Sequence, residues 1–231
     1  MKLYRIAICM LLVLSEIGCS DDDNITLPTI NPETTGMFMD ERDGSEYHWV
    51  RLGGLDWMVE NSRYNLGDQT KCCFYVDYVH SGEGEPADKF SEKYGYLYTQ
   101  QGALEAVPDG WRLPSDEDWK KLERVLGMSE AETDAWDWRG TVTGALMKQV
   151  GGGTMLGLQM AGYYTPYMIM ATPKWRFIGT YGFYWTSTKD ESKGGEYYFY
   201  RKLYYDSSQV YRQSMEAEVE MLSVRFVRDA E

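Results

Sequence analysis

A nine-residue apolar run, Ile6 to Leu14, stands between a basic start and a cysteine, and it decides which part of this chain is left to fold. Lys2 and Arg5 precede the run, and Ile17-Gly18-Cys19 follows it. A helix needs roughly 20 apolar residues to cross a bilayer, so the run is too short to be a spanning anchor. It does have the parts of an export signal: a basic start, an apolar centre, and small or apolar residues before a cleavage point. Residues 1–18 are therefore expected to leave as a signal peptide. No later segment has the length and apolarity to span a membrane.

Ile17-Gly18-Cys19 resembles a lipobox, in which the signal peptidase cuts before the cysteine and Cys19 carries the lipid. Glu16 stands where Leu is usual, and simple secretion with cleavage nearby is the alternative. Ser20-Asp21-Asp22-Asp23-Asn24 resembles the surface-export signal of Bacteroidetes lipoproteins, although any solvated tether would also be polar. The expectation is a lipid-anchored protein of the outer membrane, exposed at the cell surface. Residues 19–35, with Pro28 and Pro32, read as an acidic and polar tether. Residues 36–231 remain for one domain with a real core.

Hydrophobic residues are 43% and charged residues 26% of the chain, an ordinary globular balance that argues against disorder. The net charge is −13, and loss of Lys2, Arg5 and Glu16 with the signal peptide makes it −14. Such a chain repels phosphate-rich partners, so no nucleic acid is expected. Of four cysteines, Cys9 leaves with the signal and Cys19 is committed to lipid. Cys72 and Cys73 are neighbours; a bridge between them needs a strained ring, and two reduced, partly buried thiols are the simpler reading. With His48 and His80 they show no zinc-site spacing.

Along the folded part, Gly36–Met39 leads to Asp43-Gly44, a hairpin signal, and Tyr47–Leu52 reads as a second strand. Gly53-Gly54 turns into Leu55–Met58, and residues 62–92 read as a long decorated loop region. Thr99–Ala106 suits a short helix. Ser115 to Asp118 resembles a capping box, and Trp119, Leu122, Val125 and Leu126 fall on one face of the helix it starts. Ser129-x-x-Glu132 caps a second helix reaching about Trp138, and residues 140–150 suit a third. Tyr181–Thr188, Tyr197–Tyr205, Gln209–Gln213 and Leu222–Arg228 have strand composition. The fold class expected is α+β, with short antiparallel strands, two or three helices segregated in mid-chain, and long loops.

These stretches, taken in order, resemble the Fibrobacter succinogenes major paralogous domain family of Bacteroidetes surface proteins. The carriers are Asp43-Gly-Ser-Glu-Tyr47, Leu55-Asp-Trp-Met-Val-Glu-Asn61, Lys93-Tyr-Gly-Tyr-Leu-Tyr98 and Pro108-Asp-Gly-Trp-Arg-Leu-Pro-Ser115 with Glu117-Asp-Trp119. Leu146-Met-Lys148, Leu158-Gln-Met-Ala-Gly162, Tyr184-Trp-Thr-Ser-Thr188 and Ser223-Val-Arg225 complete the series. The resemblance covers roughly residues 37–229 and implies a C-type-lectin-like fold, shared with formylglycine-generating enzymes. Where the family carries a pair of cysteines, this chain has Val107 and Phe226, which implies that these two touch.

The chemistry of the residues favours no reaction. Formylglycine-generating enzymes work through cysteines late in the domain, and no Cys follows Cys73. His48 and His80 sit in no triad motif, and Gly151-Gly-Gly153 lacks the Lys-Ser/Thr of a phosphate loop. Asp40-x-x-Asp43-Gly44 lacks the spacing of a calcium loop, so neither a metal nor another cofactor is expected. Glu60-Asn61 reads as a structural hydrogen-bonding pair.

What remains is an aromatic-rich chain, with 19 Tyr, eight Trp and seven Phe. Core packing is the default use for such rings, and stacking on a ligand the sharper one. Trp136 and Trp138, in Asp134-Ala-Trp-Asp-Trp-Arg139, and Trp175 with Arg176, in Pro173-Lys-Trp-Arg176, sit among charges and are the candidate ligand contacts. The functional expectation is a non-enzymatic domain binding a glycan or other extracellular ligand. The alternative is an adhesin or structural subunit that docks a surface protein through the Tyr-rich 197–205 strand. A pocket lined by Trp would favour the first, and a flat aromatic strand edge the second.

Overall fold

The computed structural model describes residues 26–73, 87–167 and 175–230. Cys19, His80 and the signal peptide lie outside them.

The chain begins with two hairpins whose turns are written in glycine. Strand β1 (Thr35–Asp40) pairs antiparallel with β2 (Ser45–Leu52), and Gly44 closes the turn with φ +74°. Between Leu52 and Leu55, Gly53 and Gly54 both take positive φ, the demand of a two-residue turn matched to strand twist. That turn leads into β3 (Leu55–Met58), and the last strand of the chain, β12 (Val227–Asp229), adds beside β3. The first sheet thus runs β1-β2-β3-β12 and joins the two ends of the domain.

The middle of the chain supplies short helices. After β4 (Cys72–Cys73) come α1 (Ala87–Tyr94), β5 (Leu97–Tyr98), which pairs with β4, and α2 (Gln100–Glu105). Thr99 caps α2 by accepting from Gly102 N. The Ser115–Asp118 capping box starts α3 (Asp116–Val125), and a Ser129–Glu132 box starts α4 (Glu130–Asp134). Then follow β6 (Asp137–Arg139), α5 (Thr143–Met147) and a two-stranded ribbon of β7 (Tyr163–Tyr164) with β8 (Trp175–Arg176). The last third forms β9 (Tyr181–Lys189), β10 (Tyr197–Tyr204) and β11 (Val210–Glu216). With β6 these make the second large sheet, in the order β6-β11-β10-β9.

The inner face of this second sheet and the first sheet enclose α3. Trp119, Leu122 and Leu126 of α3 pack with Trp57, Tyr184, Leu203 and Val210 in one core cluster. A second cluster is largely aromatic and gathers Tyr47, Tyr98, Trp111, Trp185 and Phe226. Val107 packs against that same cluster, which puts it in the neighbourhood of Phe226.

The α+β expectation is overturned. Among the described residues strand outweighs helix, at 33% against 17%, and the strands lie in four small antiparallel sheets. Five helices occur among the described residues, none longer than ten residues, rather than two or three forming a helical layer. A capping box specifies where a helix starts but not how far it runs. α4 stops at Ala135, whose backbone is extended, and Asp137–Arg139 is captured by β11 as an edge strand instead of continuing a helix to Trp138. Val125 is 37% exposed, so only three of the four apolar positions of α3 are buried. Part of the expected loop region is regular: β4 and most of α1 fall within residues 62–92. Conversely, residues 222–228 are not one strand: Leu222 and Ser223 hold by single bridges to Tyr98 and Tyr184, residues 224–226 are irregular, and Val227 and Arg228 join the ladder with β3.

Candidate binding cleft and aromatic face

Two buried arginine sites fix the framework around the candidate sites. Arg225, fully buried, donates from Nε to Asn61 Oδ1 at 2.5 Å and from its two Nη atoms to the carbonyls of Met58, Leu156 and Gly157. Asn61 completes the site by donating to Tyr94 O at 2.8 Å. Glu60 accepts from the backbone N–H of His48 and meets its Nδ1, both at 2.8 Å. Both members of the Glu60-Asn61 pair therefore tie separate segments together. The second site joins α3 to the large sheet: Arg201 and Arg212 both reach Asp116, and Arg139 and Arg201 both reach Glu123. Burial alone would raise the Asp116 carboxyl, but Arg212 and Arg201 outweigh it and hold it well below the usual carboxylate range. Burial lowers Arg139 to about 10 in spite of Glu123.

On this frame a cleft of about 780 Å³ opens beside α2. Gln100, Gln101 and Leu104 of α2 form one wall; Glu196 and Tyr198 form another, with Tyr164 and Glu218 nearby. Gln100 is buried and donates Nε2 to Thr186 O at 2.6 Å, while its Oε1 has no partner among the described residues. Several of the charges here are neutralised locally. Lys71 donates to both carboxylate oxygens of Glu105, at 2.7 and 2.8 Å, and Glu196 is held by Lys189 at 2.6 Å and by the Tyr198 hydroxyl at 3.2 Å. Glu218 is exposed and has no ion pair among the described residues. The lining is therefore rich in amides and carboxylates beside tyrosine rings, the kind of mixture that orients a small polar ligand.

The face of the large sheet turned away from α3 is the second feature; toward β9 it packs into the second core cluster through Trp185, Phe183 and Tyr200, and its end around Lys202 is partly exposed. Alternation along β10 sends Tyr198, Tyr200, Lys202 and Tyr204 to one side and Phe199, Arg201 and Leu203 to the other. Neighbouring strands add rings to the side of Lys202, so that aromatic contacts run from Trp138 through Tyr211, the buried Tyr200 and Phe183, and Tyr181 to Tyr204 and Tyr205. Centroid separations along this path are 4.8 to 6.1 Å. Lys202 stands among them, with Nζ 3.7 Å from the Tyr211 ring centre, 5.1 Å from that of Trp138 and 5.7 Å from that of Tyr181.

The candidate ligand residues inferred from sequence do not converge. Trp136 is 44% exposed, but its ring leans on Phe199, and the Arg212 guanidinium lies 5.1 Å from it. Trp138, two residues on, meets Tyr211 and Lys202 on the other side of the sheet. Trp175 and Arg176 form β8, where Trp175 packs edge-on against Tyr164 and Arg176 lies over Tyr163 at 6.0 Å. None of the four lines the cleft. Lys202 was covered by sequence only within the Tyr-rich 197–205 strand, where the period-two spacing of Tyr198, Tyr200, Lys202 and Tyr204 marks it; Tyr211 was not singled out. Cys72 and Cys73 are both free and buried, and burial raises both thiols.

Among the described residues no group of three His, Cys, Asp or Glu side chains is arranged to hold a metal ion, and no helix is long and apolar enough to cross a membrane. The profile of the Fibrobacter succinogenes major domain matches residues 50–228. Comparisons with curated proteins and with solved structures return no match.

Proposed function

The chain belongs to the Fibrobacter succinogenes major domain family, and on that premise we propose that it is a non-enzymatic binding module whose ligand, a glycan, sits in the cleft beside α2. One observation carries the reading. The cleft is the size of a small-ligand site, and its wall combines the amides of Gln100 and Gln101 and the carboxylate of Glu218 with the rings of Tyr164 and Tyr198. Planar amides and carboxylates bond adjacent sugar hydroxyls, and tyrosine rings cover the apolar face of a sugar. The unpartnered Oε1 of Gln100 adds a buried acceptor beside the same space.

A glycan array probed with the purified protein tests this. A specific hit that weakens about tenfold or more in Tyr198→Ala and Gln101→Ala supports the cleft, since each removes a direct contact. A hit indifferent to both substitutions, or none from a folded sample, removes the cleft from consideration.

The module is held at the cell surface by lipid on Cys19. The basic start, the apolar run Ile6–Leu14, the Ile17-Gly18-Cys19 box and the acidic Asp21–Asp23 that follows support this. Incorporation of labelled palmitate that disappears in Cys19→Ala, together with cleavage of the protein by protease added to intact cells, is the expected result.

A further inference from the structure

We propose that the partly exposed end of the large sheet around Lys202 is a second binding surface, distinct from the cleft, that takes a glycan bearing a carboxylated sugar. Two half-buried lysines make the contrast on which this rests. Lys148 gives its Nζ to the carbonyls of Tyr204, Tyr205 and Ser207, at 2.9, 2.7 and 2.8 Å, and so pins the β10–β11 turn. Lys202 is equally withdrawn from water, yet its ammonium has neither a hydrogen bond nor an ion pair among the described residues. Three aromatic rings surround it, and Asp137 is the carboxylate that acts on it, without forming an ion pair. Burial lowers its pKa and Asp137 counters only in part, so the ammonium sits where a carboxylate would be welcome. A cation among ring faces attracts the rings weakly compared with an anion at hydrogen-bonding distance.

The rest of the face fixes the kind of molecule. Beyond Lys202 it presents aromatic rings, with Tyr205 at 56% and Phe177 at 51% exposure toward one end. Rings of this kind suit the flat apolar face of a pyranose, and one lysine matches one carboxylate. A peptide adding as a strand fits less well. β10 is already paired on both sides; of the two edge strands, β9 bonds the backbone of Gly162, Ser223 and Pro114 along its free side, and β6 is three residues long with Asp137 at φ +63°. A monoanionic sugar also avoids the long-range repulsion that a polyanion would meet from a chain of net charge −13.

The test is calorimetric titration of the full-length protein with 3′-sialyllactose and with a glucuronate-terminated disaccharide, each against its neutral parent sugar. At least one acidic sugar is expected to bind about tenfold more tightly than its parent, the factor one charge-assisted hydrogen bond supplies. Lys202→Met, which keeps the stem over the rings, should erase that preference, and Trp138→Ala should weaken acidic and neutral sugars together. Gln101→Ala, in the cleft, should leave the preference intact, so failure of the cleft reading and failure of this one are separable. Equal binding of acid and parent, a preference that survives Lys202→Met, or no binding of either acid by protein with native circular dichroism overturns the proposal. Hexaglutamate binding that depends on Lys202 while both sugars fail would replace it with a protein partner.

Discussion

Arg201, fully buried on β10, spans two carboxylates of α3, with Nη1 2.7 Å from Asp116 Oδ1 and Nε 2.6 Å from Glu123 Oε1. Its neighbours Arg212 and Arg139 each take one of the same acids, so three arginines share two carboxylates. This shared site is the polar bolt between α3 and the large sheet.

The imbalance makes the two ends of the bolt unequal. Arg201→Met leaves one arginine for each acid, whereas Asp116→Ala leaves Arg212 without its carboxylate and Arg139 and Arg201 to share Glu123. Removing one partner of a buried ion pair costs about 3–5 kcal/mol when it strands a charge. Asp116→Ala is expected to reach that range and Arg201→Met to fall clearly below it, although Arg201 is the larger buried side chain. Urea unfolding of the two variants beside the parent checks the order; a larger loss for Arg201→Met would contradict it.

Acid should weaken the same site. The Asp116 carboxyl is held below its ordinary 3.8 in the fold, so its contribution is fully present above that value. It is lost as pH falls below about 4, where the unfolded chain takes up the proton first. Asp118 and Asp56 are lowered in the same sense against the pull of burial, by Arg112 with Ser115 and by Arg51 with Arg228. Unfolding midpoints measured from pH 7 down to pH 3 should drop steeply below about pH 4, and the drop should be shallower in Asp116→Asn.

Gly144 is a helical glycine that alanine should not improve. In α5 a Cβ there would lie 2.1 Å from Gln209 O and 2.7 Å from its carbonyl carbon. Alanine ordinarily favours a helix over glycine by about 1 kcal/mol. Here the clash is with backbone of the β10–β11 turn, where Gly144 N also donates to Ser208 O at 2.7 Å. Gly144→Ala is expected to destabilise by about 1–3 kcal/mol, read as a lower thermal midpoint.

Arg225 cannot be replaced by a simpler cation. Its fork reaches Asn61 Oδ1 and three carbonyls from separate segments. A lysine ammonium lacks that planar geometry. Arg225→Met and Arg225→Lys should both cost about 3 kcal/mol or more by stranding buried acceptors. Recovery of parent stability by the lysine variant, measured in urea, would refute the argument.

Local chemistry made much of this molecule legible in advance. The Asp43-Gly44 and Gly53-Gly54 turns, the capping boxes at Ser115 and Ser129, and the strands at Tyr181, Tyr197 and Val210 follow from residues within a few positions of one another, as does the family that the motifs spell. The balance of helix and strand did not follow, because whether Asp137–Arg139 continues a helix or joins a sheet is decided by β11, 71 residues away at the pair Arg139 and Val210. Both candidate sites belong to the same category. Gln100 acquires its place in the cleft by bonding Thr186, 86 residues on. Lys202 becomes a cation in an aromatic box only once β6, β9 and β11 bring Trp138, Tyr181 and Tyr211 beside it. Sequence sets the turns, caps and alternation because those energies are local. The partners of a buried charge or an orphaned amide are set by packing between distant segments, and only the folded structure decides them.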